Sequence, residues 1–302
     1  MQSVIIDSKG DTREEEVTRR DLVQKFGIHS RDLRPVFVKK QSITLLSRAN
    51  CIIFNYRSVK LVIGTKEVFV LGLEKSKISE IFIPFLGKKI QEQKEKIRFE
   101  HLILDTTLTY ILEKIFRRFD DIERTSVQIL GKLDIELRDQ VLEQLLHLKK
   151  RLSKLETNVE ELEEIIEEIV EDDEELEDLY LEVKHPANVD DIESILENAL
   201  EQIEDISHRI DELDENIDDT QEILTLKLDH LRNTIIKFDL LITMATGLLA
   251  FMTVVTGLYG MNIKSGLEND HQAFLNIALV LGGAFIFGML LLLAWLRKNK
   301  IL

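Results

Sequence analysis

The chain has 302 residues, with 39 Lys and Arg against 55 Asp and Glu and a formal charge of −16. That acidity argues against a nucleic-acid partner, whose phosphates require a basic face. The single cysteine, Cys51, excludes a disulfide framework and a cysteine-based zinc cluster. The mean hydropathy of −0.04 averages very unlike parts. Residues 1–100 carry +7, 101–200 carry −17, 201–230 carry −9 and 231–302 carry +3.

In chain order, Met1 to Glu16 holds Asp7, Asp11, Glu14, Glu15 and Glu16 and no apolar core, so it reads neither as a signal peptide nor as a typical transit peptide. Val4-Ile5-Ile6 reads as a short strand. Thr18 to Phe26, closed by Gly27, reads as a short helix with a glycine stop. Ser42–Leu46, Cys51–Phe54, Val59–Ile63 and Val68–Leu71 are β-branched runs at short spacing and predict further strands. Their connections are too short for crossover helices, so the sheet is expected to be mostly antiparallel. After Pro84 the pattern turns helical, through Ile97 to Leu130. Residues 1–130 are therefore expected to form an α+β domain.

Residues 131–239 are expected to form an acidic helical stalk. Val141, Leu145, Leu148, Leu152, Leu155, Val159, Leu162, Ile166 and Ile169 alternate spacings of four and three. Ile192, Leu196, Ala199, Ile203, Ile206, Ile210, Leu213 and Ile217 do the same. These are heptad seams, interrupted only around Lys184-His185-Pro186, and they predict an antiparallel coiled-coil hairpin turning at His185-Pro186. No Pro or Gly occurs from Ala187 to Thr246, so the second arm is expected to run unbroken from Val189 to Leu258, roughly 100 Å at 1.5 Å per residue. Such a rod is a lever or a plain stalk, and periodicity does not separate the two.

Leu240 to Leu258 and Ala273 to Leu296 are uncharged and long enough to cross about 30 Å of hydrocarbon. Seven of the 13 glycines follow residue 230, a skew expected of membrane helices. The loop 259–272 is too short for a domain, so the spans predict a hairpin through the bilayer. Arg297, Lys298 and Lys300 form a basic tail over 297–302, and Arg232 and Lys237 precede the first span. The positive-inside rule then places both termini on the cytoplasmic or matrix side, with Trp295 as an interfacial anchor.

Tyr259-Gly260-Met261-Asn262 closes the first span, ahead of a short acidic loop and a second span ending in basic residues. In that context the chain resembles the CorA magnesium-channel superfamily. Ser30-Arg31-Asp32-Leu33-Arg34, the acidic block Glu171–Leu181 and Asp229-His230-Leu231-Arg232-Asn233 are similar to its eukaryotic mitochondrial branch. The resemblance implies a homopentameric funnel with the first spans lining the pore, no cofactor beyond Mg2+ as the transported and regulatory ion, and the mitochondrial inner membrane as one location. It implies a filter of Gly260, Met261 and Asn262, in which five Asn262 oxygens accept hydrogen bonds from the water of hydrated Mg2+ and Gly260 allows a tight turn. Helix capping is the plainer role for Asn262. The resemblance further implies Thr253 and Gly257 as pore-lining, with Asp229 and Arg232 near the inner mouth and Asp229 as a metal contact.

Thr253, Thr246, Asp239 and Arg232 fall seven residues apart, on one helix face. Spacing alone adds Thr246 and Asp239 to the pore, although threonines in a single span more often bond their own backbone carbonyls. The acidic excess is mainly solvated helix surface. The sharper expectation, which the resemblance implies, is that some carboxylates face neighbouring subunits and are bridged by inner Mg2+, closing the channel. The seven histidines lack zinc-ligand spacing, and there is no EF-hand loop, P-loop or nucleophile constellation. Gly282, Gly283 and Gly288 fit close helix packing. The expected function is Mg2+ conduction. The alternatives are transport of Zn2+, Co2+ or Ni2+ by the same architecture, and a two-pass membrane scaffold.

Overall fold

The computed structural model describes residues 1–38, 43–57, 59–72, 78–92, 97–133, 139–181, 190–261 and 271–298. The chain divides into two compact units, Met1–Asp218 and Asp219–Leu302.

The first unit is built on one six-stranded sheet: β1 (Gln2–Asp7), β2 (Thr12–Glu16), β3 (Thr44–Arg48), β4 (Cys51–Tyr56), β5 (Val59–Ile63) and β6 (Glu67–Leu71). The strand order is β2-β1-β6-β5-β4-β3, and every neighbouring pair is antiparallel. Strand β2 was not anticipated, because TREEE carries no apolar alternation and all five residues are exposed. Its pairing is set by the turn before it. The Asp7 carboxylate accepts from the Lys9 and Asp11 amides, both at 2.9 Å, and Gly10 takes φ 83°. The resulting charged edge resists pairing with a second sheet.

Side chains leave a strand alternately, so each register row across the sheet belongs to one face. Leu46, Ile53, Val62, Phe69 and Ile5 form one row. Onto it pack Leu22 and Phe26 of α1 (Arg19–Phe26) and Val36 of α2 (Arg34–Phe37). The adjacent row, Leu45, Phe54, Leu61, Val70 and Val4, faces the other way and is equally buried. Helix α1 starts and stops as its sequence dictates. Thr18 and Asp21 form a reciprocal capping box, and Gly27 ends the helix in the left-handed region at φ 65°.

The Arg-Asp-Leu-Arg segment proves to be a structural tie. Asp32 accepts from Arg48 Nε at 3.2 Å and from Arg48 Nη2 at 3.5 Å, which joins the α1–α2 connection to β3, and Leu33 is fully buried.

Helix α3 (Ile78–Glu92) begins before Pro84, which stands inside it and does not open it. A proline there removes one backbone hydrogen bond. The buried face of Phe82, Ile83, Leu86 and Ile90 outweighs that loss. Helix α4 (Phe99–Leu133) is continuous through the expected helical stretch.

The heptad seams are buried as predicted, from Val141 to Ile169 on α5 (Asp139–Glu171) and from Ile192 to Ile217 on the following long helix. The first arm has a break that the pattern did not reveal. Asp172 leaves helical geometry and accepts from the Glu174 and Glu175 amides, capping the short helix α6 (Asp173–Asp178). The acidic block thus turns back on the sheet: Leu176 and Leu179 are buried, and Ser47 Oγ donates to the Asp178 carbonyl. The expected turn at His185-Pro186 lies outside the described residues. Between helices, Arg151 pairs with Asp121 at 2.6 Å, Lys149 pairs with Asp214 and Asp218, and Arg209 lies over Phe119.

Helix α7 (Asp190–Tyr259) is a single 70-residue element, matching the expected unbroken arm to within a residue at each end. In the second unit its C-terminal part is accompanied by α8 (His271–Lys298).

Candidate ion pathway

Both apolar helices of the second unit are long enough to cross a membrane. Phe251, Val254, Leu258, Phe274, Leu279 and Val280 are each 61–72% exposed, so this surface requires an apolar surround. At about 25 cal/mol per Å2, leaving such side chains in water is unfavourable by kilocalories per residue.

The two faces of α7 differ. Met244, Leu248, Met252 and Val255 are half-buried. Leu248 lies against α8, where a Cβ added at Gly288 would stand 3.4 Å from it. Gly288 therefore serves close helix packing as expected. At Gly282 and Gly283 an added Cβ would meet no atom within 4 Å among the described residues of the single chain.

A rotation of two residues, about 200°, leads to the opposite side of the helix. There Asp239, Thr243, Thr246, Ala250, Thr253, Gly257 and Gly260 repeat at spacings of four and three, all exposed. Arg232 lies seven residues before Asp239 and is also exposed, as is Asp229. From Arg232 to Thr253 the rise is about 32 Å at 1.5 Å per residue, the depth of a bilayer core. The structure thus brings the sequence-predicted residues onto one stripe. Thr243 and Ala250 were missed, although their spacing was visible, because a strict seven-residue step skips the intervening positions.

The threonine hydroxyls are oriented by the backbone. Thr246 Oγ1 donates to the Ile242 carbonyl at 2.8 Å, and Thr253 Oγ1 to the Leu249 carbonyl at 2.9 Å. The self-bonded geometry and a position on the exposed stripe therefore coexist. With its proton engaged, each oxygen offers only lone pairs outward, so the stripe is one of acceptors.

At the end of α7 the Gly260 amide donates to the Thr256 carbonyl at 2.9 Å. The segment after Met261, where the expected tight turn falls, lies outside the described residues. Gly260 is not in the left-handed region, and a Cβ there would make contacts of 3.4 Å with Gly257 O and Thr256 O. What glycine supplies is the absence of a side chain on the stripe. Met261 is exposed, and Asn262 lies outside the described residues.

On the bundle, carboxylates crowd one another. Burial, with Glu160, Asp214 and Asp211 nearby, raises the Glu156 carboxyl above its ordinary value. Burial and the charges of Glu168, Asp172 and Asp178 do the same for Glu175. No group of three or more His, Cys, Asp or Glu forms a metal site among the described residues of the single chain.

Comparison with known proteins gives this arrangement its context. The full-length CmaX protein shares the fold, with a TM-score of 0.58 at 14% identity over 100% of this chain and 97% of that one. The mitochondrial inner membrane magnesium transporter MRS2 of Kluyveromyces lactis is 27% identical over 90% of this chain and 66% of its own length. The mitochondrial inner membrane magnesium transporter LPE10 of Yarrowia lipolytica is 28% identical over 92% of this chain and 64% of its own length. The chain thus spans just under two thirds of these two yeast relatives. A magnesium transporter MRS2 homolog of Macaca fascicularis is 28% identical over 89% of this chain. These relatives are named as ion transporters, not enzymes. The model of the magnesium transporter family described as MRS2-like matches residues 2–232, well over half of the sequence, and the chain belongs to that family.

Proposed function

We propose that this chain forms a homopentameric channel that passes hydrated Mg2+ through a membrane, the mitochondrial inner membrane by resemblance to its yeast relatives. Both termini lie on the matrix or cytoplasmic side. The observation that carries the reading is the acceptor stripe on α7, opposite the face that packs on α8.

Mg2+ sheds its water reluctantly and travels with an octahedral shell. That shell presents water hydrogens outward, so a wall that conducts it needs acceptors in place of competing donors. Thr246 and Thr253 supply such acceptors, and Ala250, Gly257 and Gly260 leave room for the shell. Five Asn262 side chains at the outer end accept from the same waters and, being neutral, release the ion again. A ring of Asp229 or Asp239 at the inner end gathers cations, and a ring of Arg232 opposes them and limits conductance. An inside-negative potential drives the ion with about 4.6 kcal/mol per 100 mV, twice the single-charge value.

Feedback follows from the acidic bundle. Carboxylates already crowded within one chain repel those of a neighbour until inner Mg2+ bridges them, and filling those sites holds the channel closed.

The test is Mg2+ influx into proteoliposomes under an inside-negative potential, with Zn2+, Co2+ and Ni2+ as competitors. Saturable Mg2+ entry that falls with millimolar inner Mg2+ is expected. Competing ions that outrun Mg2+ would reassign the cargo, insensitivity to inner Mg2+ would overturn the feedback, and absence of flux would favour a two-pass scaffold.

A further inference from the structure

In the first unit, a cavity of about 300 Å3 lies between the β4–β5 turn and the faces of α4 and α5. Its polar lining is Tyr56 and Arg57 from the turn, Tyr110, Lys114 and Arg118 from α4, and Lys154 from α5. In a chain where acids outnumber bases by 55 to 39, this wall holds four cations and no carboxylate. None of the four cations forms an ion pair among the described residues. Two carboxylates stand nearby without neutralising them: Asp121 is engaged by Arg151 at 2.6 Å, and Glu161 acts on the Tyr56 phenol from α5. Arg118 and Lys154 also line an adjoining groove of about 260 Å3, together with Arg151 and Asp121.

Two further observations set the cluster apart from an incidental one. Arg57 is the single non-glycine residue with positive φ among those described, at 53°. Asn or Gly would take that conformation at lower cost. The Arg57 Nε–H is buried with no acceptor among the described residues. Lys114 stands one helical turn from Arg118, and burial together with that like charge pushes its ammonium pKa down. Arg57 bonds the Tyr56 hydroxyl and Lys114 lies 6.0 Å from the Tyr110 ring centre, so the tyrosines orient the cations while their charge is left for an anion to neutralise.

We infer that this cavity binds a compact polyphosphate, free or carried by a nucleoside, through Arg57, Lys114, Arg118 and Lys154. Two guanidinium forks match phosphate oxygens bidentately, and two ammonium groups add point charges. The tyrosine hydroxyls add donors, and the volume sits at the lower end of the roughly 300–1,000 Å3 range of small-ligand clefts. The site belongs to the first unit alone and stands whether or not the second conducts Mg2+.

The experiment is thermal unfolding of the full detergent-solubilised chain in magnesium-free buffer at constant ionic strength. Tripolyphosphate, ATP and inorganic phosphate are titrated separately. Tripolyphosphate is expected to raise Tm saturably and inorganic phosphate to bind more weakly. ATP equal to tripolyphosphate identifies the phosphate chain as the whole determinant, and tighter ATP assigns the tyrosines to the nucleoside. Arg118→Gln/Lys154→Gln should weaken tripolyphosphate binding at least tenfold while leaving the ligand-free Tm unchanged or higher, because two like charges leave the cluster. Lys114→Met, which keeps an apolar stem, should lower affinity in the same direction and serves if the double variant does not fold. A shift that grows with ligand without saturating, or equal affinity in the variants, overturns the inference.

Discussion

Asp32→Asn removes the charge that ties the α1–α2 connection to β3, and the structure sets the size of the effect. Asp32 is 8% exposed and Arg48 40% exposed. Of the two contacts, the one at 3.2 Å is well formed and the one at 3.5 Å is marginal. A charged hydrogen bond contributes about 1.5–3 kcal/mol when buried, and an exposed ion pair about 0.2–1 kcal/mol. The partial exposure of Arg48 places this pair between them, at about 1–1.5 kcal/mol. For a unit of this size that corresponds to a fall in Tm of roughly 2–6 °C.

The pH dependence carries the sharper test. The Arg48 hydrogen bond, opposed in part by burial, holds the Asp32 carboxyl below its ordinary 3.8. A lowered folded pKa gives stability that is present in full above the unfolded value and is lost as pH falls through the folded value. The gap in Tm between wild type and Asp32→Asn should therefore be constant near neutrality, narrow below about pH 4 and vanish once the folded carboxyl is protonated. Circular dichroism melts of both proteins across that range measure it. A gap that stays the same at every pH would refute the assignment to charge and leave only side-chain shape.

Two other expectations concern the scaffold. Leu152→Ala, at a fully buried heptad position on α5, should cost about 2–5 kcal/mol in chemical unfolding, whereas Leu146→Ala, 68% exposed on the same helix, should change stability by less than about 0.5 kcal/mol. Gly10→Ala should destabilise more than Gly27→Ala. Both have positive φ, but a Cβ at Gly10 meets Gln91 Cγ at 2.8 Å and Gly87 O at 3.0 Å, while at Gly27 the nearest atom is 3.9 Å away. Gly27→Ala then carries only the left-handed penalty of about 1 kcal/mol, and melts that rank the two in reverse would contradict the packing.

What the sequence disclosed depended on how many residues shared a signal. The two heptad seams and the 70-residue α7 repeat one spacing over many turns, and each seam position is buried. The uncharged spans were legible by length alone. Features resting on a few residues were not. Strand β2 depends on the Asp7–Gly10 turn, and the break at Asp172 falls in a run where every residue type remains compatible with helix. Pro84 marked a helix start in sequence, yet buried apolar side chains carry α3 past it. Of the exposed stripe on α7, the seven-residue positions were legible from spacing, while Thr243 and Ala250 fall on the intervening steps of four and three that a strict seven-residue rule skips. The basic cavity left no trace in sequence, because Arg57, Arg118 and Lys154 come from three elements and only folding brings them together.

The central claim is that hydrated Mg2+ crosses along the α7 stripe and through a ring of Asn262. Initial Mg2+ influx into proteoliposomes, compared for the wild-type chain and Asn262→Ala at equal incorporation, tests it most directly. Robust wild-type influx with a strong loss or altered ion preference in the variant is the predicted result, and equal influx with unchanged preference would contradict it.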